Sequence, residues 1–125
     1  MTHSELKQLR QLLFLSQAEA AEHVGKVEPR SWQRWEKGTS PIPTDVISQM
    51  QMLSLTRQEL IESLPDFEHY NYKYFETIED YAAESGVKSI VRWRLSQSVS
   101  AQLFSEKSAR IWRAEEAIRN DENES

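Results

Sequence analysis

The residues of this sequence best suited to bind a ligand lie close together between positions 30 and 37. Arg30, Gln33, Arg34 and Lys37 all carry long side chains with hydrogen-bond donors. At roughly 100° per residue, these four positions fall within about one third of a helix circumference. Guanidinium and amide groups suit the edges of bases, and cationic groups suit phosphates. The pattern therefore indicates a helix face that contacts nucleic acid.

The other face of the same helix carries two large apolar anchors, Trp32 and Trp35. Pro29 suits a first helical position, because its missing N–H needs no partner there. We expect Glu28 to cap this helix, and a glycine bounds the segment on each side. Taken alone, an amphipathic helix with basic residues on its outer face is more often an ordinary solvent-exposed helix than a reading helix, that is, one that contacts DNA bases.

The stretch that precedes this helix favours its interpretation as a reading helix. Ser16 with Glu19 forms the sequence pattern of a capping box, so a second short helix begins at Ser16 or Gln17. Small alanines follow, and we expect Gly25 to end this helix and permit a sharp turn. Helix, glycine turn and helix together make a helix-turn-helix unit.

These residues resemble the DNA-binding domain of phage repressors of the lambda (Xre/Cro) type. The resemblance is carried by Leu15-Ser16-Gln17, Ala21, Gly25, Trp35-Glu36 and Gly38. It implies a lambda-repressor-like helix-turn-helix bundle over residues 1–64. The turn after Gly25 is one residue longer than the usual form of that family, which places the inserted Lys26 at the turn.

A second resemblance spans nearly the whole chain. It is carried by the stretches 20–25, 30–33 and 93–99, and it is to the YdiL-like proteins and the anti-CRISPR-associated autorepressors. It implies repression of an operon. In the family that the helix-turn-helix resembles, an arginine at the position of Arg10 pairs with the glutamate that stands here as Glu36. The bidentate fork of arginine suits a carboxylate, and we interpret this pair as structural.

The remaining helices of the first half follow from capping and apolar spacing. Thr2 with Glu5 starts a first helix that reaches Phe14. Thr44 or Asp45 caps a helix of roughly five turns, whose apolar stripe is broken only by Arg57. The sequence Leu64-Pro65-Asp66 ends it, because a residue before proline is disfavoured in a helix.

Residues 69–75 alternate aromatic and polar side chains, with tyrosines at 70, 72 and 74. Period two predicts one short aromatic β-strand. A single strand needs a partner, and pairing with a second copy would make a dimer. The alternative is an RNA-binding regulator in which Tyr70, Tyr72 and Tyr74 stack on bases.

The C-terminal half carries two further helical patterns. Thr77 with Asp80 begins a short helix that ends at Gly86, and Ser89 begins another. Val91, Leu95, Val99 and Leu103 form an apolar stripe on the second, which packs on the fourth helix or on a partner. We expect a mainly α protein, with a small α+β dimerisation domain over residues 66–119 and a frayed acidic tail over 120–125.

Charge and composition narrow the range of functions that this chain could have. The chain has 125 residues and a net charge of −5, of which residues 1–43 carry +1 and residues 44–125 carry −6. A near-neutral reading half favours a specific reader over a protein that coats DNA, since non-specific affinity needs many phosphate contacts. No apolar run has the length of a membrane span and no signal peptide is evident, so we expect a cytoplasmic protein.

The sequence offers no chemistry for an enzyme. Without cysteine it has no thiolate catalysis and no cysteine zinc site, and His3, His23 and His69 stand apart. Glu79-Asp80 and Glu115-Glu116 are solvated pairs by pattern. We therefore expect no catalytic residue, no metal and no cofactor.

The leading hypothesis is a homodimeric, sequence-specific repressor that binds an inverted repeat in double-stranded DNA. Arg30, Gln33 and Arg34 would read bases, while Gln17 and Lys37 would hold phosphates. An antitoxin-type module that binds a protein partner and regulates its own operon is an alternative, and the RNA-binding regulator is another.

Overall fold

The protein is described by a computed structural model that covers residues 1–66 and 71–124. Its helices are α1 (His3–Leu12), α2 (Gln17–Ala20), α3 (Pro29–Lys37), α4 (Thr44–Ser63), α5 (Ile78–Ser85) and α6 (Ile90–Glu124), with a π-helical turn, Ala21–Gly25, directly after α2. None of the helices in these residues has the length and apolar character needed to cross a membrane.

The starts of α1, α2 and α5 follow the capping patterns of the sequence, whereas the N-cap of α4 is Pro43 and not the predicted Thr44 or Asp45. Thr2 and Glu5 cap each other at α1, and Ser16 and Glu19 do the same at α2, so both predicted capping boxes are confirmed. Thr77 accepts from the amide of Asp80 at α5. The prediction for α3 was wrong in one detail, because the Glu28 side chain makes no capping hydrogen bond.

The turn between α2 and α3 differs from the expectation at Gly25. The left-handed residue is Lys26, with φ 56°, while Gly25 ends the π-helical turn. A Cβ atom on Gly25 would lie 3.1 Å from Cζ3 of Trp35 and 3.2 Å from Cε3 of Trp32. Gly25 is therefore favoured by the close approach of the two tryptophans rather than by its own backbone conformation.

One core joins the helix-turn-helix to the helix that follows it. Leu95 of α6 belongs to the same buried cluster as the side chains of α1 to α4. The cluster comprises Leu6, Leu13, Leu15, Ala20, Ala21, Val24, Trp32, Trp35, Val46, Met50 and Leu95. The first turns of α6 are thus part of the body that carries α3.

Arg57 explains the break in the apolar stripe of α4. Its side chain is buried between α4 and α6, and its Nε donates to Oγ of Ser98 at 2.8 Å. Ser98 in turn donates to the carbonyl of Leu12. Burial lowers the pKa of Arg57 from its ordinary value. Arg57 therefore links the two long helices, α4 and α6, by a hydrogen bond. In the sequence it was visible only as an interruption of the apolar stripe of α4.

The predicted aromatic strand, and with it the α+β C-terminal domain, is not found. No strand occurs in residues 1–66 and 71–124, and residues 72–75 form an irregular segment along α6. The Phe75 carbonyl accepts from Nε1 of Trp93 and Nε2 of Gln97, both at 2.9 Å. Side chains of α6 therefore supply the hydrogen bonds that a neighbouring strand would have given. His69 and Tyr70 lie outside the described residues.

Candidate nucleic-acid interface

Two tryptophans hold α3 against the body. Trp32 is fully buried and Trp35 is 7% exposed, and their ring centroids lie 5.4 Å apart at an interplanar angle of 58°. Tilted aromatic pairs combine a large buried area with a defined geometry. The helix is therefore fixed both in position and in rotation about its axis.

The opposite side of α3 presents the predicted basic residues to solvent. Arg30, Arg34 and Lys37 are exposed, and Gln33 is half-buried. Within the described part of the chain, no acidic side chain lies within ion-pair distance of these three cations. Their donors are thus available to an external partner with acceptor groups.

Glu36 lies at the back of α3 and is a hub of buried hydrogen bonds. Arg10 donates to it through Nε at 2.6 Å and through Nη2 at 3.0 Å, which joins the two residues that the resemblance had paired. Nε1 of Trp32 donates to the same carboxylate. Nη1 of Arg10 also donates to the Leu15 carbonyl at 2.9 Å, so the guanidinium connects α1, the loop before α2 and α3.

Opposing effects act on the Glu36 carboxyl. Burial alone would raise its pKa, but the hydrogen bonds from Arg10, Gln17 and Trp32 outweigh burial and hold the pKa below its ordinary value. Glu36 is therefore ionised at neutral pH, and its charge is balanced inside the fold by Arg10.

Gln17, at the start of α2, contacts the buried side of α3. Its Nε2 donates to Oε1 of Glu36 at 3.1 Å, and the residue is half-buried. A side-chain amide carries two N–H donors, so one hydrogen bond to Glu36 leaves a second donor. The assignment of Gln17 as a phosphate ligand stays a prediction. The hydrogen bond to Glu36 fixes the orientation of its side-chain amide.

A charged contact at the edge of this site was not predicted from the sequence. Arg94 of α6 pairs with Glu19 of α2, with Nη2 and Oε2 3.0 Å apart. Glu19 had been assigned only to the capping box of α2. No local pattern could identify the second role, since the two residues are 75 positions apart. The bond from Trp32 to Glu36, in contrast, was detectable from their helical spacing of four residues.

Comparison with known proteins gives consistent matches over most of the chain. The profile of a family described as Aca2/YdiL-like matches residues 1–112. The Aca2 repressor of Pectobacterium phage ZF40 is 40% identical over 110 residues, which cover 85% of this chain and 95% of that protein. The YdiL protein of Escherichia coli (strain K12) is 24% identical over 110 residues, which cover 83% of this chain and 93% of that protein.

Proposed function

The chain belongs to the Aca2/YdiL-like family, and on that premise we propose that it is a sequence-specific DNA-binding repressor. It acts as a homodimer on an inverted-repeat operator. The observation that carries the proposal is the basic face of α3, whose cations have no acidic partner in the described residues while its other face is anchored by Trp32 and Trp35.

The geometry of α3 suits the major groove. Arg30 and Arg34 stand one helical turn apart on the same face, and Gln33 lies between them. Arginine binds the O6 and N7 atoms of guanine with two hydrogen bonds, and glutamine does the same with N6 and N7 of adenine. Lys37 at the end of α3 and Gln17 at the start of α2 hold phosphates and set the register.

Selection of bound sequences from random duplex DNA tests this function. We expect enrichment of an inverted repeat whose half-site centres are about one helical turn, roughly 10–10.5 base pairs, or a multiple apart. A variant with Arg30 and Arg34 both replaced by alanine is the matched control and should enrich no sequence. If the wild-type protein also enriches none, the proposed function is wrong.

The surface for a second copy lies on the distal half of α6. The stripe at 95, 99 and 103 is buried within the protomer, so it is not available to a partner. Beyond it, Phe104 is 70% exposed, Ile111 49% and Ile118 59%. These three are spaced seven residues apart, so they lie along one side of the helix, like one of the two seam positions of a coiled coil.

The charge along this half-helix also suits pairing with itself. Residues 105–113 carry three Lys or Arg and one Glu, whereas residues 114–125 carry five Asp or Glu and one Arg. An antiparallel arrangement of two copies places each basic segment beside an acidic one. Such complementarity favours that orientation over the parallel one.

Dimerisation has its own test. We expect the wild-type protein to sediment as a dimer at micromolar concentration and the variant Ile111→Asn with Ile118→Asn to sediment as a monomer, because two seam residues lose their apolar contacts. Ala109→Asn, on the opposite side of α6, is the control and should remain dimeric. A monomeric wild type, or a double variant that still dimerises, would contradict this surface.

No specific observation supports either alternative, the RNA-binding regulator or the antitoxin-type module. The RNA-binding regulator required three tyrosines on one free face, but Tyr72 is half-buried, with its hydroxyl 3.5 Å from Oγ of Ser96. Tyr74 is exposed, and Tyr70 lies outside the described residues. No feature of the described surface points to an antitoxin-type partner in preference to a second copy.

A further inference from the structure

The proximal part of α6 packs in the core through Leu95, and Arg94 adds a charged contact from α6 to the helix-turn-helix. Arg94 donates through Nε to both carboxylate oxygens of Glu19, at 3.1 and 3.2 Å, and through Nη2 to Oε2 at 3.0 Å. The side chains are 26% and 19% exposed. A multiply hydrogen-bonded Arg–carboxylate pair has a defined geometry, unlike a mobile surface ion pair.

Neighbouring side chains hold Arg94 in this orientation. Its guanidinium carbon lies 4.0 Å from the centre of the Trp93 ring, and its Nη1 donates to Oε1 of Gln97 at 2.8 Å. Trp93 and Gln97 are themselves fixed by the carbonyl of Phe75. The guanidinium is therefore supported from the side as well as by its carboxylate partner.

Glu19 connects Arg94 to the start of α2, the helix that precedes the reading helix α3. Its Oε1 accepts from the amide of Ser16, which closes the capping box at the start of α2. Helix α2 leads through the π-helical turn into α3. Arg94 thus connects the first turn of the helix-turn-helix with the helix whose distal half carries the proposed dimer surface.

We propose that Arg94 is a positioning residue that fixes the angle between the reading helices and α6, and thereby sets the distance between half-sites that the dimer accepts. This inference rests on the proposed function, since it concerns two copies bound to one operator. A dimer with rigid connections discriminates against a wrong spacing, because the DNA or the protein must then deform. Loosening one connection lowers that cost without changing any contact to bases.

The test uses full-length protein and the operator found by selection, with the separation of the half-sites varied in steps of one base pair. We expect wild-type affinity to fall about tenfold or more one or two base pairs away from the optimum, which corresponds to about 1.4 kcal/mol. Arg94→Ala should flatten this profile to within about threefold. Its affinity for a duplex with a single half-site should stay within about twofold of wild type.

Two further variants separate positioning from general stability. Glu19→Gln keeps a residue that can complete the capping box but weakens the pair with Arg94, so it should flatten the profile in the same way. Arg92→Ala removes an exposed arginine from the same helix and should leave the profile sharp. Lowered melting temperature without a change in spacing preference would assign Arg94 to stability alone and overturn the inference.

The outcomes distinguish this inference from the function on which it rests. If the wild-type protein binds no duplex, both are wrong. If it binds with a sharp spacing profile that Arg94→Ala and Glu19→Gln share, only the role of Arg94 is wrong.

Discussion

Replacement of Arg10 by alanine is expected to lower the free energy of unfolding by about 3–5 kcal/mol. The side chain of Glu36 is 3% exposed, and Arg10 supplies two of its hydrogen bonds and the balancing positive charge. Without Arg10, a buried carboxylate keeps only the bonds from Gln17 and Trp32. The loss is large because the remaining charge is already removed from water.

Chemical denaturation of the variants measures this effect. Lys7→Ala on the same helix is the control, since Lys7 is exposed, and its midpoint should match that of the wild type. Combining Arg10→Ala with Glu36→Gln should recover part of the loss, because the second change removes the unbalanced charge. An unchanged denaturation midpoint for Arg10→Ala would show that the pair contributes nothing to stability.

Replacement of Arg30 by alanine is expected to cost about 1–3 kcal/mol of operator binding in each half-site, hence about 2–6 kcal/mol for a dimer on an inverted repeat. Arg30 is exposed, so its loss leaves the core and the Arg10–Glu36 pair intact. The preference for one base position per half-site should relax, and the same holds for Gln33→Ala at a different position.

Binding to randomised operators at two salt concentrations measures both affinity and preference. Lys37→Ala is the matched control on the same helix: it should weaken all sequences alike and reduce the salt dependence, because a phosphate contact carries no base information. If Arg30→Ala and Gln33→Ala retain the wild-type sequence preference, α3 does not read DNA.

The parts of the fold that the sequence predicts correctly depend on neighbours a few residues apart. The capping boxes at Thr2 and Ser16 locate the starts of α1 and α2, and Gly86, with φ 79°, ends α5 as expected. Each signal needs only residues of one helical turn. The pairing of Arg10 with Glu36, 26 residues apart, came from a resemblance to known proteins.

The parts that were missed depend on contacts between distant segments. Residues 72–75 have the alternation of a strand, but alternation does not supply a neighbouring strand, and α6 offers its polar side chains instead. The contact of Arg94 with Glu19 has no local signal, because Glu19 already fits its role in a capping box. Arg57 was conspicuous in the sequence as a charge within an apolar stripe, but its partner Ser98 on α6 could not be inferred from that pattern.

The π-helical turn accommodates the extra residue between α2 and α3. An extra residue inside an α-helix rotates everything after it by roughly 100°, which would turn the basic side chains of α3 toward the body. Here the Ala21 carbonyl accepts from the amides of both Lys26 and Val27, and Lys26 takes the left-handed conformation. The added length is absorbed between the two helices, and Trp32 and Trp35 stay buried. A difference of one residue in the length of this turn is therefore compatible with the same packing and the same exposed face of α3.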